Sequence, residues 1–204
     1  MKYWWLIFLP FVSLSQDLPI IKYNTKDGLG HAIIYRIHED KKGFLWFATD
    51  NGLTRYDGET FRNFTEANGL RSSYIFGITD NDSSLIFSTF GKGLQFSDGY
   101  TIDTTKVLAK EIEYPINILS DNENLWITDR SNNLFKVNGE KVKKYTNDIN
   151  YANKSISKVI KVGESIFASS YGLYEYNKSK DKFEEVPLKW ESAGNSLYCK
   201  NLIQ

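Results

Sequence analysis

One position recurs every 40 residues along most of this chain, and that period limits the fold more than any other feature. Four short apolar strings keep step: FLWFATDNGL from Phe44, SLIFSTFGKGL from Ser84, NLWITDRSNNL from Asn124 and SIFASSYGL from Ser165. Trp46, Ile86, Trp126 and Ile166 share one phase, and Phe47, Phe87, Ile127 and Phe167 share the next. A fixed period of this length marks a repeat architecture, in which each unit buries its face on its neighbours.

The repeating unit is all strand. Its first copy runs IIYRI (33–37), a polar turn, FLWFAT (44–49), DNG, LTRY (53–56), Asp57-Gly58 and TFRNF (60–64). β-Branched and aromatic residues alternate with polar ones, and no helical period competes. That excludes helical solenoids, and a parallel β-helix has much shorter coils, so the unit reads as a four-stranded propeller blade. Asp57-Gly58, Asp98-Gly99 and Asn138-Gly139 fall between the third and fourth strands. Such pairs suit a type I′ turn, whose two central residues both take positive φ. The fourth copy has NKSKDK there instead, and Gly52, Gly93 and Gly172 mark the start of third strands.

The expected fold is therefore an all-β β-propeller of about four four-stranded blades, at 31–64, 72–103, 114–146 and 155–187 of a repeat region 16–204. IIKYNTKDGL (20–29) matches FRNFTEANGL (61–70), so residues 20–24 are expected to form an outer strand ahead of the first blade. SLYCK (196–200) holds the place of ISKVI (156–160), so 195–204 is expected to begin a further blade. The expectation is the N-terminal part of a larger propeller, with a raw edge and poor solubility where strands are missing.

The first copy, DGLGHAIIYRIHEDKKGFLWFATDNGLTRYDGETFRNF (27–64), resembles the two-component regulator propeller repeat. The matching residues include Asp40, Gly43, Leu45-Trp46, Thr49, Gly52-Leu53 and Tyr56-Asp57-Gly58; later copies are degenerate, with isoleucine at 86 and 166. The resemblance implies a periplasmic sensor region of a hybrid histidine kinase or related regulator, behind a signal peptide and answering to carbohydrate. It also implies a membrane helix and a cytoplasmic kinase or DNA-binding part, none of which this sequence contains.

Ahead of the repeats, MKYWWLIFLPFVSLSQ has Lys2, an apolar run from Tyr3 to Val12, and small residues at Ser13 and Ser15. This reads as a secretory signal peptide over 1–15, and the chain is expected in the periplasm or outside the cell. No later segment is long and apolar enough for a transmembrane helix. Lys+Arg and Asp+Glu both number 25, so there is no basic footprint for nucleic acid. Cys199 is the only cysteine, which leaves stability to packing and gives the thiol the role of a small buried residue.

Few residues invite a chemical role. Trp46 and Trp126 could stack on sugar, but their phase also accepts isoleucine, which makes them packing residues. Trp190 lies outside the phase and is expected to be exposed. Asp40 and Asp80, with Asp121 nearby in the third copy, are expected to accept backbone N–H groups of the next turn. His31 and His38 stand without a partner motif, and the glycosylation-like triplets at Asn63, Asn81, Asn153 and Asn177 are what Asn-, Ser- and Lys-rich turns produce by chance. No catalytic residue, metal ligand or cofactor is expected, and the ligand-binding residues do not follow from the repeat. The expected function is a non-catalytic, ligand-sensing propeller segment of a two-component receptor, with an oligosaccharide ligand and a homodimer in the full receptor. Two alternatives stay open: a periplasmic enzyme acting on polysaccharide, a glycosidase or lyase, and a plain protein-interaction propeller.

Overall fold

The computed structural model describes residues 20–121, 124–145, 156, 158–170 and 172–187. The expected signal peptide, Trp190, Cys199 and the strand start at 195–204 lie outside the described residues. Each copy of the repeat folds into one antiparallel sheet with its strands in chain order. The first sheet holds β1 (Ile34–Glu39), β2 (Leu45–Thr49), β3 (Gly52–Tyr56) and β4 (Phe61–Phe64). The second holds β5 (Ile75–Asp80), β6 (Leu85–Thr89), β7 (Gly93–Ser97) and β8 (Ile102–Leu108). The third holds β9 (Pro115–Asp121), β10 (Asn124–Asp129), β11 (Leu134–Asn138) and β12 (Lys141–Lys144). The fourth holds β13 (Lys158–Val162), β14 (Ser165–Ser169), β15 (Leu173–Asn177) and β16 (Lys182–Glu185). β8 runs past the expected limit of 103, because a register shift between Leu94 and Phe96 lets Leu108 pair with Leu94.

Alternation along the strands gives every sheet two faces, and successive sheets cover one another with them. Trp46, Ala48, Leu53 and Phe64 of the first sheet pack on Ile75, Ile78, Leu85 and Phe87 of the second. Ile86, Leu94 and Phe96 of the second pack on Ile118, Leu125, Ile127 and Val137 of the third. Trp126, Leu134 and Tyr145 of the third then meet Val159, Ile166, Ala168, Tyr176 and Phe183 of the fourth. The 40-residue phase is therefore a packing phase, but it changes sense once. Trp46, Ile86 and Trp126 point forward onto the next sheet, whereas Ile166 points back onto the sheet of Trp126. Pairing places Ile166 beside Lys161, and Ala168 beside Val159 and Tyr174, all on the rearward face. A one-residue slip of register sends a whole strand's side chains to the other face, so a spacing of 40 can conserve burial while reversing direction.

Two expectations about connections are corrected. Residues 20–24 form no strand, because among the described residues no sheet lies alongside for them to pair with. They lead instead into a 3-10 turn at Thr25–Asp27, capped by Asn24 and closed by Gly28 at φ 111°. The same turn returns at Glu66–Asn68, with Thr65 ahead of it and Gly69 at φ 98°. The repeat match across these segments is thus real, but what repeats is a connector. The Asp-Gly pairs, in turn, do not make type I′ turns. Gly58, Gly99 and Gly139 have positive φ while Asp57, Asp98 and Asn138 do not. Asp57 folds its carboxylate over the loop and accepts the N–H groups of Glu59 and Thr60, and Asp98 does the same for Tyr100 and Thr101. These bonds hold both carboxyls below the usual carboxylate range. No helix among the described residues is long and apolar enough to cross a membrane.

Candidate functional site

The first strands β1, β5 and β9 lie against one another at the inner side of the stack. Each carries a pairing irregularity at the same place. Ile34 pairs with Thr49 and Arg36 with Ala48, which leaves Tyr35 extra. Ile75 pairs with Thr89 and Ile78 with Phe87, so two residues, Phe76 and Gly77, stand against one. Asn117 pairs with Thr128 and Pro115 with Asp129, which leaves Ile116 extra. A β-bulge turns its extra residue out of the pleat, and bulges gather where side chains must be re-aimed. Gly77 is required here: a Cβ on it would lie 2.9 Å from the Ile116 carbonyl oxygen and 3.0 Å from Ile118.

Two of these bulged residues, Tyr35 and Phe76, begin an aromatic ledge that runs across three sheets. Tyr35 meets Phe76 at 4.6 Å between ring centroids, Phe76 meets Phe90 at 5.8 Å, and Phe90 meets Tyr114 at 4.7 Å. Tyr74 flanks Phe90 at 6.1 Å. Tyr35, Tyr74 and Tyr114 remain exposed. Backbone bonds fix the row: the Phe90 N–H donates to the Tyr74 carbonyl at 3.1 Å, and the Arg130 N–H to the Tyr114 carbonyl at 2.9 Å. The Tyr35 hydroxyl donates to Asp50, which raises its pKa above the ordinary phenol value. Arg36 crosses from the first sheet to Asn117 of the third. The ledge offers ring faces beside a carboxylate and hydroxyl groups, which suits binding a ligand with both apolar and hydroxylated surface.

The singled-out residues fall elsewhere. Trp46 is fully buried and donates its indole N–H to Asp40 at 2.7 Å. Asp40 also accepts the N–H groups of Lys42 and Phe44, as expected for a turn acid. Asp80 does not take that role, because Asn81 accepts the turn N–H groups of Ser83 and Ser84. Asp80 instead meets His38 of the neighbouring sheet at 2.9 Å. Asp121 is buried and pairs with Lys161 at 3.0 Å, and His31 accepts the Ile33 N–H. Trp126 is enclosed by Tyr145, Tyr176 and Phe183. None of these belongs to the ledge. Among the described residues no group of three or more His, Cys, Asp and Glu side chains is placed to hold a metal ion. The ledge residues carried a weak signal in the sequence: Tyr74 and Tyr114 lie 40 apart, but the bulges that lift Tyr35 and Phe76 leave no residue signature.

Asp181 clasps the third and fourth sheets. It accepts from Lys143 Nζ at 2.6 Å, from the Tyr145 hydroxyl at 2.5 Å and from the Tyr176 hydroxyl. The lysine first, then the two phenols, hold its carboxyl far below the ordinary range. A group depressed in this way stabilises the fold fully above the unfolded carboxylate pKa of about 3.9, and that stabilisation fades as pH falls toward the lower folded value. Asp181→Asn is expected to flatten the loss of melting temperature between pH 5 and pH 2 relative to the parent chain, read by circular dichroism. Asparagine tolerates the left-handed backbone, φ 48°, at this position.

Four antiparallel four-stranded sheets, stacked face to face with their first strands innermost, are blades of a β-propeller, unclosed over the described residues. The chain matches the family model described as two component regulator propeller over residues 28–51, the stretch containing β1 and β2. No curated protein matches it. Its fold is similar to the extracellular domain of BT4673 from B. thetaiotaomicron, assigned as a hybrid two component system. Identity is 22% and TM-score 0.63, over 82% of this chain and 23% of that one. It is similar also to the extracellular domain of BT3049 from B. thetaiotaomicron, with the same assignment, at 15% identity and TM-score 0.62, over 82% and 26% of the two chains. PorZ of Porphyromonas gingivalis, a surface component of the type-IX secretion system, matches at 15% identity and TM-score 0.57, over 80% and 23%. At these identities the likeness is one of fold, and the chain spans about a quarter of the length of each.

Proposed function

We propose that this chain is the ligand-sensing, non-catalytic propeller part of a periplasmic receptor that signals through a two-component system, and that its ligand is a carbohydrate. The observation that carries the reading is the ledge, where Tyr35, Phe76, Phe90 and Tyr114 form one row across three successive blades, with Tyr35 and Phe76 set at bulges. A flat ring face suits the C–H face of a pyranose, while Asp50 and the phenol groups suit its hydroxyls. The matched family description and the extracellular sensor domains of like fold support the receptor setting, and residues 1–15 serve as the export signal in this reading. A ligand shifts the receptor only through unequal affinity for its two arrangements, so the ledge must bind one arrangement of a receptor homodimer better than the other.

The test is isothermal titration calorimetry with a panel of neutral oligosaccharides. At least one is expected to bind, and the double variant Tyr35→Ala/Tyr74→Ala to weaken it at least tenfold with an unchanged far-ultraviolet spectrum. Undiminished binding by that variant would reject the ledge, and no binding by any saccharide would reject the carbohydrate.

A further inference from the structure

Three asparagines of the chain are followed by glycine, Asn51, Asn68 and Asn138, and all three are exposed. Glycine has no Cβ to shield its nitrogen, which leaves that nitrogen able to attack the side chain of the asparagine before it. Asparagine counts among the thermolabile residues for this kind of reason. The dipeptide is the same at all three places, so the local sequence does not rank them. The fold does, through what each glycine N–H is bonded to.

Gly52 is buried, and its N–H donates to the Ser73 carbonyl at 2.6 Å. Gly69 is half-buried, and its N–H donates to the Glu66 carbonyl at 3.0 Å, closing the 3-10 turn. Asn68 is tied as well, because its Oδ1 accepts the Thr65 N–H at 2.9 Å. Gly139 differs on each count. It lies in the two-residue loop between β11 and β12, where Asn138 pairs with Lys141. Its φ is 57° while Glu140 has no positive φ, the pattern of a type II′ hairpin, whose closing bonds join the flanking residues and not the glycine. Gly139 is exposed, and nothing lies within 4 Å of a Cβ placed on it. Its N–H has no acceptor among the described residues. The Asn138 side chain donates its Nδ2 to Asn124 Oδ1 at 3.1 Å, an exposed bond that water replaces at small cost.

We propose that Asn138 is a site of spontaneous deamidation, and that the fold spares Asn51 and Asn68. The Gly139 nitrogen loses its proton to base and attacks Asn138 Cγ. The new N–Cγ bond closes a cyclic imide as the Cγ–Nδ2 bond breaks, and ammonia leaves after taking up a proton from water. Water then opens the imide. Cleavage of the N–Cγ bond gives an aspartate, whereas cleavage at the main-chain carbonyl gives an isoaspartate, with the chain running through Cβ. Nothing is oxidised or reduced, and water is the only co-reactant. The same attack by Gly52 or Gly69 must break a backbone hydrogen bond that is costly to leave unmade. An isoaspartate adds a methylene to the backbone where Asn138 pairs with Lys141, so β12 loses its register on β11. β12 also carries Lys143, which reaches Asp181 at 2.6 Å, so the change loosens the clasp between the third and fourth sheets. Neither Asn138 nor Gly139 belongs to the ledge, and the inference does not depend on what the ledge binds.

Peptide mapping of the full chain by mass spectrometry tests it, with isoaspartate read separately by isoaspartyl methyltransferase labelling. In mildly alkaline buffer the folded chain is expected to convert Asn138 at least about tenfold faster than Asn51 or Asn68, because the glycine nitrogen there has no bond to give up. In concentrated urea, where nothing holds Gly52 and Gly69, the three rates are expected to fall within about threefold of one another, as their shared dipeptide requires. Gly139→Ala places a methyl group in open space, and it is expected to slow conversion at 138 while leaving 51 and 68 unchanged. An Asn138 that outlasts Asn51 or Asn68 in the folded chain, equal rates at the three sites in the folded chain, or a preference for Asn138 that persists in urea would each overturn the assignment.

Discussion

Trp46→Ala is expected to destabilise the fold by about 3–5 kcal/mol, the usual range for removing a buried tryptophan. The indole has no exposed surface and lies among Phe64, Ile78, Leu85 and Phe87 at the first blade interface. The more discriminating comparison is between two phenylalanine variants. Trp46→Phe also removes the N–H bond to Asp40, and a hydrogen bond to a charged acceptor is worth about 1.5–3 kcal/mol. Trp126 has no acceptor for its indole N–H among the described residues. Its phenylalanine variant loses volume but also removes an unsatisfied buried donor. Denaturant melts should therefore rank Trp46→Phe as the costlier by at least about 1 kcal/mol. Equal costs would mean that the bond to Asp40 contributes nothing beyond packing.

Gly52→Ala is expected to be the most damaging of the single-methyl changes. Gly52 has φ +92°, and a Cβ there would lie 2.1 Å from the Phe64 carbonyl oxygen, a backbone atom that cannot step aside cheaply. The left-handed backbone costs about 1–2 kcal/mol with a side chain, and forcing the strands apart adds about 1–3 kcal/mol. Gly43 is the control: its φ is +81°, but nothing lies within 4 Å of the added carbon. Gly43→Ala should thus show the backbone cost alone. The Gly52 N–H also donates to the Ser73 carbonyl at 2.6 Å, next to Tyr74, so the damage should reach the ledge. A thermal melt of both variants, with saccharide binding measured on whatever remains folded, checks both points.

The strands and their grouping were legible because burial at one phase must recur wherever one sheet covers the next. Asp40 was legible too, since an acid at a strand end ahead of a glycine turn has few cheaper uses. The direction in which Ile166 points was not, because burial alone does not distinguish a sheet's two faces. Nor did Asp57-Gly58 reveal its turn: the same dipeptide serves a type I′ turn and a longer loop closed by the carboxylate. The ledge was hidden for a related reason. It depends on a bulge, which is a mismatch between two strands and so has no signature in either strand alone. Its tyrosines resemble any aromatic residue of a β-rich chain until three sheets bring them together.

The twin connectors have a consequence for how such a chain is cut and recombined. Asn24 to Phe64 and Thr65 to Leu108 are each a 3-10 connector followed by the sheet on which it docks. Gly28 and Gly69 give their carbonyls to Asn63 and Gln95 of the sheet that follows, not of the sheet before. The transferable module accordingly begins at the connector. A blade exchanged with junctions at 64/65 carries its own hydrogen-bond partners, whereas one exchanged at the first strand leaves Gln95 buried without them.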